Sequence, residues 1–241
     1  MTRNHHFWLP LGLVLIGQVS AWGYATGIEL ISVEHHVWGS AGRETMYGPG
    51  GTEVFYDQTS PDPLHVSVTG TYWDPWAGRE RPLVAWSEAG DFRAQAHGTY
   101  WFSEAYAQSI YVFTPQVGAH ALTFELSGSG DGVGLSAESN IRFALDDLTA
   151  GTSLALLTAP SELDWQAGQW SCWSLDRIDT YFVDPAHTYG MTLFAYAGNG
   201  DGTRGASLDV DVLPIIPAPG ALLLAVIGTA LVGRTRSSAL R

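Results

Sequence analysis

The 241-residue chain contains no lysine and one cysteine, and all 11 of its basic residues are arginines. Each shortage excludes something. With Cys172 alone, no internal disulfide can form, so the fold must hold by its core. Between Trp170 and Trp173 this cysteine reads as a small buried apolar residue, with an intermolecular disulfide or a reactive thiol as the alternative. All 24 acidic residues lie within 22–213 and meet only Arg43, Arg79, Arg81, Arg93, Arg142, Arg177 and Arg204 there. Such a surface disfavours nucleic acid as a partner. Gly-x-Ser-x-Gly, His-Glu-x-x-His, a Walker loop and a dinucleotide fingerprint are all missing, so no catalytic motif or cofactor site is indicated and the chain reads as non-enzymatic. Extended helical periodicity is absent as well.

What is present is alternation. Leu64, Val66 and Val68 alternate with His65, Ser67 and Thr69, and Leu122, Phe124 and Leu126 with Ala121, Thr123 and Glu125. Leu208, Val210 and Val212 do the same against Asp209 and Asp211. Period-two patterns of this kind bury one face of a strand. Further strands are expected near 28–37, 53–57, 83–87, 91–97, 105–113, 141–146, 153–158, 178–183 and 189–196. Turns are expected at Gly48 to Gly51, Ser60 to Pro63, Gly128 to Gly134 and Gly198 to Gly205. So many short strands in one domain predict an all-β, two-sheet antiparallel sandwich, jelly-roll-like, flanked by an N-terminal signal helix and a C-terminal membrane helix.

The ends carry the flanking signals. Arg3, an apolar stretch from Phe7 to Ile16 and the small residues Val19, Ser20 and Ala21 read as a signal peptide over 1–21. Cleavage is expected after Ala21, with Gly23 and Ala25 as alternatives. The domain is expected over 22–213 and the tail over 214–241, because Pro214, Pro217 and Pro219 disfavour both a helix and a central strand.

Aromatic residues are abundant, with ten tryptophans and ten tyrosines. Tyr72, Trp73, Trp76 and Trp101 form a candidate carbohydrate platform, since rings flanked by carboxylates and amides can stack on sugar faces. Core packing is the favoured reading of the same rings. Asp131 and Asp201 offer oxygen ligands to calcium but lack EF-hand spacing, so solvated turns are expected there. His35 and His36 are adjacent and would point to opposite faces of a strand, which disfavours a shared metal; His97 and His120 give no better spacing. Asp146 and Asp147 are expected to end a strand; with Glu162 and Asp164 they are the carboxylates a hydrolase pair would draw on.

Pro217-Ala218-Pro219, the apolar run 221–233 and then Arg234 and Arg236 resemble the PEP-CTERM sorting tail processed by exosortase-type membrane proteases of Gram-negative bacteria. Ala218 stands where that motif usually has glutamate. The resemblance covers the last 25 or so residues and implies export, transient retention in the inner membrane through the apolar segment, cleavage near the prolines, and delivery to the cell surface or extracellular matrix. The partners it implies are the export machinery, an exosortase-type protease and extracellular polysaccharide. His187-Thr188-Tyr189 and the last alternating strand are also similar to the bodies of other proteins with this tail. The resulting expectation is an exported surface or biofilm-matrix protein of unspecified activity, with a secreted carbohydrate-binding module and, less favoured, a glycan hydrolase as alternatives.

Overall fold

The computed structural model describes residues 27–42, 53–74, 76–99, 103–132, 138–160, 173–198 and 203–215. The expected signal peptide, most of the tail with its sorting motif, Trp101, Cys172, Glu162, Asp164 and Asp201 lie outside the described residues. Twelve strands occupy the described chain: β1 (Ile28–Ala41), β2 (Val54–Ser60), β3 (Leu64–Asp74), β4 (Arg79–Gly90), β5 (Arg93–Thr99), β6 (Ser103–Pro115), β7 (Ala121–Gly132), β8 (Glu138–Asp147), β9 (Thr152–Ala159), β10 (Trp173–Phe182), β11 (Tyr189–Gly198) and β12 (Thr203–Ile215). Every strand expected from alternation is found. Among the described residues no helix is long and apolar enough to cross a membrane.

The strands form two antiparallel sheets of six, ordered β2-β1-β6-β11-β8-β9 and β10-β7-β12-β5-β4-β3. Alternation decides which side chains enter the space between them. In β6 every second residue from Ser103 to Pro115 is buried. β11 likewise sends Tyr189, Met191, Leu193, Ala195 and Ala197 inward, against Leu122, Phe124, Leu126, Leu208, Val210 and Val212 of the second sheet. Phe124 of β7 meets Phe143 of β8 across the gap, with ring centroids 5.7 Å apart. His35 is fully buried with Nδ1 3.0 Å from Ser109 Oγ, and burial pushes its imidazole below the ordinary value. His36, the next residue, is on the outer face, as a strand requires.

The β4–β5 hairpin closes through Asp91 (φ 48°) and Phe92 (φ 58°). Positive φ at both central residues defines a type I′ turn, which suits the twist of the flanking strands but strains a bulky residue. Phe92 is held there by tertiary contacts: its ring stacks on Tyr111 at 4.4 Å, and its N–H donates to the Tyr111 hydroxyl at 2.8 Å. Burial pushes the Tyr111 hydroxyl up to about 12.

Two boundary expectations are corrected. The glycines from Gly128 are not the start of a turn, because β7 continues to Gly132. They serve packing: a Cβ on Gly128 would stand 2.4 Å from Ile141 Cδ1, and one on Gly130 would stand 2.2 Å from the Trp173 ring. Pro214 does not lie outside the sheet either. β12 runs to Ile215 and pairs Pro214 with Leu122, past the expected domain end at 213. The proline is tolerated because pairing with β5 stops at Asp209, leaving β12 with one neighbour beyond that point.

Candidate functional site

The outer face of the second sheet carries the residues that alternation keeps out of the core. Two adjacent cross-strand rows run over it. One passes Asp131 (β7), Gly205 (β12), His97 (β5), Trp86 (β4) and Ser67 (β3). The next passes Ser174 (β10), Ser129, Ser207, Gln95, Glu88 and His65. Asp131, Gly205, His97 and Trp86 of the first row and Ser174, Ser129, Ser207 and Gln95 of the second line a groove of about 480 Å³, within the size range of small-molecule sites.

Gly205 opens the floor. A Cβ there would stand 2.9 Å from Asp131 Oδ1 and 3.6 Å from His97 Nδ1, so the carboxylate and the imidazole approach the same point from opposite sides. Burial lowers the His97 imidazole below its ordinary value, opposed by the Asp131 charge. Trp86 forms the apolar wall: its ring is stacked against His97 (5.5 Å, 17°) and tilted against His65 (5.9 Å, 32°). Ser129 and Ser207 hydroxyls are 3.0 Å apart on the floor. The side chains of Gln95 and Asp131 make no hydrogen bond to other described residues, which leaves an amide and a carboxylate available to a ligand. Rings beside unspent polar groups suit a polyhydroxylated molecule, whose C–H faces stack while its hydroxyls bond.

The expected platform residues are dispersed. Tyr72 points inward and packs against the core, because it is one residue from Trp73, which faces out. Trp73 pairs with Glu80 while Trp86 pairs with Ser67, putting Trp73 about 20 Å along the strand from the groove. Trp76 is 94 % exposed in the β3–β4 turn, which corrects the expectation that it packs in the core. That turn is held by Asp74, whose Oδ1 accepts from the Trp76 and Ala77 N–H groups at 3.0 Å each and whose Oδ2 pairs with Arg81 Nε at 2.7 Å. The Ala77 N–H bond, followed by Arg81 and the Trp76 N–H, holds the Asp74 carboxyl below the usual carboxylate range against some burial.

Trp86 escaped the sequence reading because it belongs to no aromatic cluster. The signal was there: Leu83, Ala85 and Ser87 face inward, so a tryptophan at 86 must lie on the outer face. A second aromatic row crosses the outer face of the first sheet, where Trp38 stacks on Tyr106 (5.7 Å, 18°) and Phe194 tilts against it (5.8 Å). Its polar groups bond to each other: His36 Nε2 lies 2.7 Å from Asp57 Oδ1, and the Tyr106 hydroxyl 3.1 Å from His36 Nδ1.

Asp131, expected in a loop, lies at the end of β7. Among the described residues no three of His, Cys, Asp or Glu gather as a metal site. Asp147 ends β8, as expected, and works structurally. Its Oδ1 accepts from the Ala150 N–H at 2.8 Å and its Oδ2 lies 2.7 Å from His187 Nδ1. The His187 hydrogen bond is the main cause that lowers the Asp147 carboxyl, and in return raises the imidazole.

No family model matches the chain, and no curated protein matches it. Several solved structures align weakly. A CBM4 protein has a TM-score of 0.28 at 14 % identity, over 53 % of this chain and 74 % of its own. The enzymatically active domain of bacteriophage CBA120 tailspike protein 4 has 0.26 at 10 % identity, over 64 % and 19 %. TmCBM61, solved in complex with β-1,4-galactotriose, has 0.24 at 10 % identity, over 63 % and 88 %. TM-scores this low carry no functional argument.

Proposed function

We propose that the chain is a non-catalytic glycan-binding protein of the cell exterior, and that its ligand is a neutral polysaccharide held in the groove over Gly205. The observation that carries this reading is the meeting, in one groove, of the Trp86 wall, the serine floor and the Gln95 and Asp131 side chains, which bond to no other described residue. The formal net charge of −13 and the carboxylate in the groove favour uncharged sugars over acidic ones. Asp131 is the one acid among the groove's described lining residues, whereas glycoside hydrolysis generally uses two carboxyls flanking the scissile bond. That contrast supports binding over cleavage.

Connectivity supports the jelly-roll reading, since β5 to β12 distribute as β5-β12-β7-β10 in one sheet and β6-β11-β8-β9 in the other. For cellular location, the signal-like N-terminus and the Pro217-Ala218-Pro219 tail support export, transient inner-membrane retention and exosortase-type processing, with a surface or biofilm-matrix destination. The test is a glycan array probed with the purified protein and with Trp86→Ala. Retention on neutral polysaccharides that the variant loses is expected. Absence of any glycan binding, or equal binding by both proteins, would refute the reading.

A further inference from the structure

Six of the ten large apolar side chains exposed among the described residues, Ile31, Val117, Leu148, Phe182, Leu213 and Ile215, lie toward one end of the sandwich. At that end β1 begins, the β6–β7, β8–β9 and β10–β11 turns close, and β12 finishes. The register shows this: Ile28 pairs with Pro115, Ala121 with both Ile215 and Phe182, and Tyr189 with both Phe113 and Asp147. Val117 is fully exposed in the β6–β7 turn, and Phe182 is 87 % exposed at the end of β10. Ile31, Leu148, Leu213 and Ile215 are exposed around them. Turns in water normally carry polar residues, so Val117 and Leu148 on two of the connections at this end, with Phe182 at the end of β10 and Leu213 and Ile215 on the last strand, call for a partner.

Chain geometry identifies that partner. β12 delivers the chain to this end at Ile215, and 26 residues follow, including the apolar run 221–233. The first strand enters from the same end at Ile28. We propose that this end of the sandwich rests on a lipid bilayer, with Val117 and Phe182 inserted among the acyl chains at the interface and Leu148, Leu213 and Ile215 around them. This rests on the reading of 221–233 as a membrane segment and is independent of the glycan reading. The apolar side chains drive docking on a zwitterionic surface. Charge does not, because the exposed ionisable groups nearby include the carboxylates of Glu29, Asp184 and Asp211. The groove lies about 30 Å away along β12, near the opposite end, so the docked body would hold it away from the lipid.

The test uses the full chain in phosphatidylcholine vesicles, with and without nitroxide-labelled lipid. A polarity-sensitive fluorophore is placed on single cysteines at Val117, Phe182, Gln95 or Ile227 in a Cys172→Ser background. The expected result is blue-shifted emission and lipid quenching at 117, 182 and 227, and neither at 95. Quenching at 227 with water-like emission at 117 and 182 would overturn the docking alone. An unquenched label at 227 would overturn the tail reading and the docking together. A blue shift without lipid quenching at 117 and 182, as contact with a second copy would give, also overturns it.

Discussion

The same substitution, glycine to alanine, should have opposite consequences at two residues one rung apart on the second sheet. Gly130 on β7 pairs with Ala206 on β12, next to Gly205. At Gly130 the new methyl points between the sheets and would meet the Trp173 ring at 2.2 Å, where the indole also donates to Ser139 Oγ at 3.1 Å. Overpacking of this kind costs about 1 to 3 kcal/mol, which for a domain of this size lowers the melting temperature by roughly 2 to 12 °C. At Gly205 the methyl points into the groove, and its one short contact, 2.9 Å, is with the mobile carboxylate tip of Asp131. Relief from glycine's entropy cost in a strand is worth about 0.5 to 1 kcal/mol, so Gly205→Ala should melt at or slightly above the wild-type temperature. Its glycan binding should nevertheless fall. Turning Asp131 away forfeits a charge-assisted hydrogen bond of about 1.5 to 3 kcal/mol, a loss of roughly ten- to a hundredfold in affinity. Thermal melts and affinity electrophoresis through gels containing a neutral polysaccharide measure both quantities. The reasoning is refuted if Gly205→Ala is destabilised as much as Gly130→Ala, or if it migrates like wild type through a polysaccharide that retards wild type.

Phe124→Ala, which empties a fully buried site against Phe143 and Tyr181, should cost about 3 to 5 kcal/mol, while Trp76→Ala should stay within about 0.5 kcal/mol; urea titration compares them. His187 is raised by Asp147, so its stabilisation is complete below its unfolded value of 6.5 and fades as pH rises through the folded value. Asp147 is lowered, so its share is complete above 3.8 and fades as pH falls through its folded value. The melting-temperature gap between wild type and His187→Gln should therefore be widest between those two values and narrow on either side; a gap that does not change with pH would contradict the ion pair. In a host with an exosortase, the released protein should lack 222–241, and Pro217→Ala with Pro219→Ala should leave uncleaved chain in the inner membrane; intact mass of both fractions checks it.

Strand positions were legible because their cause is local. A strand turns its side chains over every residue, so Leu122, Phe124 and Leu126 announce a buried face without reference to anything distant. The same rule separates His35 from His36 and orients the acids of β12. The acid excess likewise limits partners through composition alone. Tertiary structure alone decided what the strand glycines do and which outward-facing rings share a site. Gly128, Gly130 and Gly205 look like turn residues in a Gly-rich sequence, yet each is fixed by an atom far away in the chain: Ile141 Cδ1, the Trp173 ring and Asp131 Oδ1. The groove joins residues from β4, β5, β7, β10 and β12, brought together by sheet order. Its serines, glutamine and glycine have no local signature. The apolar end is hidden in the same way, since Val117 and Phe182 are ordinary residues in sequence and come to the same end of the sandwich only because of how β6, β7, β10 and β12 are ordered.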